Sequence, residues 1–249
     1  MLGGRTPGYR AGRMFVKICG ITNEDDALLA TALGADAVGF VFAPSRRQVK
    51  PDVVRDIVKR LPREITTVGV FRDDHPAHVV DVASRVGLHA VQLHGREPMS
   101  EVQWIRERVR FVIQAFPAGD PALAAAANSP ADVILVDSPD PGSGRVFDWR
   151  LAEGAPSGVR LLLAGGLTSH NVAEAIKLVR PWGVDVASGV EAAAGLKDPR
   201  KLRQFIEAAR EATVDDAEHP IDLTREENHL VHGADDSDEP RPFDWQLDD

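Results

Sequence analysis

Short apolar runs rich in β-formers recur along this chain, separated by longer segments whose apolar positions fall three and four residues apart. The runs are FVKIC from Phe15, AVGFVF from Ala37, TTVGVF from Thr66, AVQLH from Ala90, RFVIQAF from Arg110, DVILVD from Asp132, RLLLAG from Arg160 and GVDVAS from Gly183. Segments of helical period include NEDDALLATALG, KPDVVRDIVKRL, PAHVVDVASRVG, EPMSEVQWIRERV, SHNVAEAIKLVR and DPRKLRQFIEAAREA. Several open on a capping residue or a proline, and two close on Gly34 and Gly87. Strands that are apolar on both faces are covered on both, which indicates a parallel sheet under helices. Eight strand-then-helix units predict a closed (β/α)8 TIM barrel, with an open doubly wound sheet as the alternative.

A barrel of this kind places its chemistry at the C-terminal ends of its strands. In order, those ends read Cys19, FAPSRR, FRDD, LHG, AFPAG, Asp137 with SPDPGSGR, AGGL and ASGVE, so polar and glycine residues collect where the architecture requires them. Successive side chains in a strand alternate faces. Lys17 and Cys19 therefore share a face, as do Gln92 and His94, and Asp185 and Ala187. An inward Lys17 has two readings: it pairs with an inward acid such as Asp185, or it supports the thiolate of Cys19.

Composition then divides the chain. With 249 residues and 43% hydrophobic content it can bury one large core. The net charge of -9 is concentrated in residues 215–249, which hold 13 acids against two arginines. This gives a leader over 1–13, a catalytic barrel over 14–214 and an acidic tail over 215–249 that is expected to be mostly disordered, too poor in aliphatic residues to offset the entropy of ordering itself. Because Met14 directly precedes the first strand, either Met1 or Met14 serves as the start in this reading. The tail repeats at Phe243 to Trp245 the FDW of Phe147 to Trp149, and a solubilising or interaction role is open to it. The body has no basic patch for nucleic acid, and the chain has no long apolar span for a membrane. A single cysteine forms no disulfide framework and suits a cytoplasmic setting. No metal-ligand spacing emerges among the histidines.

The segments VKICGIT, GADAVGFVFAPSRR, VGVF, AVQLHG, GSGRVFDW, AGGLTSHNVAEAI and VDVASGVE, with KD following, run in order from Val16 to Asp198. In these the chain closely resembles the phosphoribosylanthranilate isomerase family of tryptophan biosynthesis. The resemblance implies an intramolecular oxidoreductase, an aldose-ketose isomerase that converts N-(5-phosphoribosyl)anthranilate to 1-(2-carboxyphenylamino)-1-deoxyribulose 5-phosphate by a cofactor-free Amadori rearrangement. It implies Cys19 as base and Asp137 as acid, with Arg47 binding the substrate carboxylate. It also implies a monomer or homodimer that acts on a small phosphorylated substrate. Gly165, Gly166, Ser188, Gly189 and Val190, in loops after the last two strands, suit the phosphate. Gln92, His94 and Asp185 are expected at the substrate.

Two departures from the family pattern bear on the site. The loop after the second strand is one residue shorter than usual, so either Arg46 or Arg47 is placed to reach the carboxylate, with Arg47 preferred. Pro141-Gly142 replaces a Gly-Gly pair and should stiffen the loop after the sixth strand. The nearest rival is the histidine-pathway aminoaldose isomerase, which has an aspartate where Cys19 stands. From another class, an idle scaffold with a working tail is the alternative.

Overall fold

The computed structural model describes residues 13–138, 149 and 158–212. Most of the leader, the Pro141-Gly142 pair, Phe147 and the acidic tail with its second FDW lie outside the described residues. Eight strands form the frame: β1 Phe15–Ile18, β2 Ala37–Val41, β3 Thr66–Phe71, β4 Ala90–Leu93, β5 Val112–Pro117, β6 Val133–Asp137, β7 Leu161–Leu163 and β8 Gly183–Val186. Each pairs in parallel with the next. β8 returns to β1 in the register Phe15↔Gly183 to Ile18↔Val186, which closes the barrel and excludes the open sheet.

β3 occupies the span its apolar run marks, whereas β1, β2, β4, β7 and β8 stop one or two residues short of theirs. The residues left over, among them Cys19, His94 and Gly165, leave the ladder to form the rim of the mouth.

The two faces of the strands build two separate apolar layers. Inside the barrel, Phe15, Ala37, Val68, Ala90, Ile113, Val133 and Leu162 fill the lower half, and the Phe15 ring stacks on Trp182 with centroids 4.4 Å apart. Outside, Val16, Ile18, Val38, Phe40, Val91, Leu93 and Val184 pack under the helices.

The helices are α1 Glu24–Ala32, α2 Pro51–Val58, α3 Pro76–Val86, α4 Met99–Arg106, α5 Val172–Val179 and α6 Pro199–Glu211. Asn23 caps α1 by accepting from the Asp26 N–H at 2.8 Å, prolines open α2, α3 and α6, and α3 ends on Gly87 in the left-handed conformation. After β5 the chain forms a 3₁₀ segment, Pro121–Asn128, instead of an α-helix; its alanine-rich sequence buries only Leu123 and Ala126 and carries no helical stripe. Beyond β8 comes a turn at Ser188–Val190, then an antiparallel hairpin of β9 Glu191–Ala193 and β10 Leu196–Lys197. No helix among the described residues is long and apolar enough to cross a membrane.

Candidate active site

Strand alternation and the loops that follow the strands bring most of the predicted residues into one pocket at the C-terminal mouth; Val190, named with the phosphate loops, is fully buried and does not line it. Cys19, Arg47, Gln92, His94, Asp137, Gly165, Gly166, Asp185, Ser188 and Gly189 all line it, together with Val70, Arg72 and Leu167. Lys17 lies one pleat below Cys19, fully buried, with Nζ 2.8 Å from Asp185 Oδ1. Of the two readings of Lys17, the ion pair with Asp185 is therefore present. Its ammonium also faces the thiol: burial opposes the charge on Lys17, but Asp185 and Cys19 outweigh that and raise its pKa.

Cys19 is buried, and burial pushes its thiol up. Asp185 pushes the same way, while Lys17 and Lys197 pull down without prevailing, so the resting sulfur carries its proton. Gly39 on β2 makes room for this arrangement. A Cβ there would lie 3.0 Å from Cys19 Sγ and 3.1 Å from Lys17 Nζ.

Asp137 ends β6, three strand positions from β1 around a ring of eight, and so faces Cys19 across the mouth. Its Oδ1 accepts from the Ser138 N–H at 2.7 Å, and its Oδ2 lies 3.2 Å from His94 Nε2. Gln92 Nε2 lies 2.7 Å from His94 Nδ1. With the Gln92 amide donating there, the proton of a neutral His94 ring sits on Nε2 and points at Asp137. Gln92 Oε1 is buried without a hydrogen-bond partner and belongs to a pocket-lining residue.

The loops after β7 and β8 lie side by side at the next part of the rim. Gly165 and Gly166 both have positive φ, 87° and 64°, a consecutive left-handed pair that side chains would strain. Gly189 packs so closely on the Leu167 carbonyl that a Cβ would collide with it. Asn171 steadies the first loop, accepting from the Thr168 N–H at 2.7 Å and donating to the Gly166 carbonyl at 3.0 Å.

Between the two candidate arginines the structure separates clearly: Arg46 is exposed, whereas Arg47 is partly buried and lines the pocket. A contact that the sequence did not reveal holds Arg47. Its Nε and Nη2 donate to Glu191 Oε1 and Oε2 at 2.7 and 2.8 Å. Lys197 joins from the neighbouring strand of the hairpin, with Nζ donating to Glu191 Oε1 at 3.1 Å, to the Cys19 carbonyl at 2.6 Å and to the Ala187 carbonyl at 3.1 Å. Burial disfavours the Glu191 charge, but Arg47 and Lys197 more than offset it and hold the carboxyl below its usual range. The only signal in the sequence was that VE and KD sit in the matching segments, which assigned neither residue a role. Among the described residues, no cluster of three or more His, Cys, Asp or Glu side chains is arranged to hold a metal.

The model of the family N-(5'-phosphoribosyl)anthranilate (PRA) isomerase matches residues 16–208. The enzyme of that name from Desulforudis audaxviator is 50% identical over 204 residues, covering 79% of this chain and 98% of the relative; that from Thermotoga maritima is 45% identical over 200 residues, covering 78% and 98%. Among solved structures, the phosphoribosyl anthranilate isomerase of Thermus thermophilus superimposes with a TM-score of 0.75 at 43% identity, covering 78% of this chain and 98% of that one. A phosphoribosyl anthranilate isomerase in complex with reduced 1-(o-carboxyphenylamino)-1-deoxyribulose 5-phosphate gives 0.70 at 42% identity, covering 80% and 99%. A closed parallel barrel, a thiol and a carboxylate facing each other across its mouth, and this extent of identity agree: the chain belongs to the N-(5'-phosphoribosyl)anthranilate isomerase family.

Proposed function

We propose that this chain carries out the reaction of its family, the Amadori rearrangement of N-(5-phosphoribosyl)anthranilate to 1-(2-carboxyphenylamino)-1-deoxyribulose 5-phosphate in tryptophan biosynthesis. The observation that carries this reading is the order of groups around the mouth. Arg47 stands after β2, Cys19 directly follows β1, the glycine loops follow β8 and β7, and Asp137 ends β6. A substrate with a carboxylate at one end and a phosphate at the other fits that order, with its reacting sugar carbons between Cys19 and Asp137.

In this arrangement the backbone N–H groups of the loops around Gly165, Gly166, Ser188 and Gly189 receive the phosphate, and Arg47 receives the carboxylate. Asp137 donates a proton to the furanose ring oxygen; the C1–O bond breaks and the nitrogen lone pair forms a C1=N iminium. Cys19 as thiolate then takes the proton from C2, whose electrons form the C1=C2 bond while the iminium pair returns to nitrogen. The resulting enolamine becomes the ketone when a proton leaves its C2 hydroxyl and one is added at C1, so no oxidant or reductant is consumed. The working form of the site thus has its proton on Asp137 and off Cys19, whereas the resting thiol is protonated. The cationic iminium beside Cys19 favours the thiolate at the step that needs it. His94 steadies Asp137 from Nε2, and the unpartnered Oε1 of Gln92 accepts a sugar hydroxyl.

The test is turnover by the purified full chain, with loss of the aldosylamine and appearance of the ketose followed by NMR and no cofactor added. Conversion at enzymatic rates, inhibited competitively by inorganic phosphate, is the expected outcome. A rate no greater than the uncatalysed one rules the reading out.

A further inference from the structure

Arg47 does not enter the pocket as a free side chain. Its stem lies over Gly20, the residue after Cys19, so closely that a Cβ at Gly20 would collide with Arg47 Cδ. Its guanidinium is gripped along one edge, through Nε and Nη2, by both oxygens of Glu191. A guanidinium has five N–H donors. That grip uses two, and the remaining fork of Nη1 and Nη2 lies at the end of the side chain, the part available to a second carboxylate. Arg47 lines the pocket and Glu191 does not, so the glutamate sits behind the arginine and does not occupy the place of the substrate.

Glu191 is itself fixed. Besides Arg47, its Oε1 accepts from Lys197 Nζ at 3.1 Å and from the Gly195 N–H at 3.3 Å. The same Lys197 ammonium holds the carbonyl of Cys19 and that of Ala187, at the start of the loop after β8. The Lys197 backbone N–H donates to Asp26 Oδ2 at 2.9 Å, which anchors the hairpin on α1. A carboxylate with this many donors is costly to displace.

Resting on the carboxylate-binding role given to Arg47 above, we propose that Glu191 is a positioning residue for substrate recognition. It orients Arg47 so that the terminal guanidinium fork meets the aromatic carboxylate. Lys197 ties this pair to the backbone of Cys19, so that the recognition arginine and the base share one frame.

The experiment compares wild type with Glu191→Gln on two substrates, the natural aldosylamine and the same phosphoribosylamine carrying a phenyl ring without the carboxylate. Removing a charge-assisted pair is expected to lower kcat/KM on the natural substrate by about 10- to 100-fold, mainly through KM. On the phenyl analogue the two enzymes should differ by less than about threefold, since no carboxylate is there to be oriented. Glu191→Asp keeps the charge at shorter reach and should show a smaller loss with the same selectivity.

Equal losses on both substrates would mean that Glu191 only supports the fold, and would overturn the proposal. A KM that stays unchanged or falls on the natural substrate would do so too, the latter by showing that Glu191 competes with it. Arg47→Lys separates this inference from the reading beneath it. If that variant discriminates between the two substrates as wild type does, carboxylate recognition by Arg47 is itself wrong. If it loses the discrimination while Glu191→Gln keeps it, only the positioning role fails.

Discussion

At residue scale the proposed chemistry turns on a thiol whose surroundings favour its proton. Burial and Asp185 act against the Cys19 thiolate, and the ammonium groups of Lys17 and Lys197 do not overcome them. A raised pKa leaves less thiolate at neutral pH, so any reaction that needs the sulfur anion should accelerate as pH rises through and beyond the ordinary thiol range of about 8.5. Alkylation of the sole cysteine by iodoacetamide, followed by mass spectrometry, should show this rise; a rate already at its plateau below about pH 8 would contradict it. The position of Cys19 was legible in the sequence, because strand ends and two-residue alternation put it at the mouth with Lys17 below. Which influence prevails on the sulfur was not, because burial and the distances to Asp185 and Lys197 arise only when strands distant in sequence come together.

Among the elements, the seam between β1 and β8 closes the barrel, and it carries a buried charge pair. Lys17 and Asp185 are register partners, their ion pair is 2.8 Å long, and Lys17 has no exposed surface. Removing one partner strands the other charge, so Lys17→Met should cost about 3–5 kcal/mol in equilibrium denaturation, and Lys17→Met/Asp185→Leu should recover most of it. A single-variant loss under about 1 kcal/mol would show that the pair contributes little to closure.

The strands were readable because covered parallel strands are continuously apolar, and the long helices because their stripes and caps recur. The β9–β10 hairpin was not, since strands of three and two residues carry no periodicity. Its only local mark is Gly195 with φ at 81°. The Glu191–Arg47 pair escaped for the same reason, spanning 144 residues with no pattern linking its ends. The 3₁₀ segment after β5 likewise lacks an amphipathic stripe, its alanines fitting more than one conformation.

The whole barrel acts as a frame that turns chain order into spatial order. Strands β6 to β8, β1 and β2 set Asp137, the glycine loops, Cys19 and Arg47 in sequence around one mouth. The interior below is filled by an apolar plug with Phe15 stacked on Trp182, so the chemistry is confined to one end. The proposed reaction depends on Cys19 as base and Asp137 as acid. The most direct measurement is steady-state turnover of N-(5-phosphoribosyl)anthranilate by wild type, Cys19→Ser and Asp137→Asn. Each variant is predicted to lose about 10²- to 10⁴-fold in kcat with a far smaller change in KM. Either variant retaining kcat within about threefold of wild type would contradict the assignment.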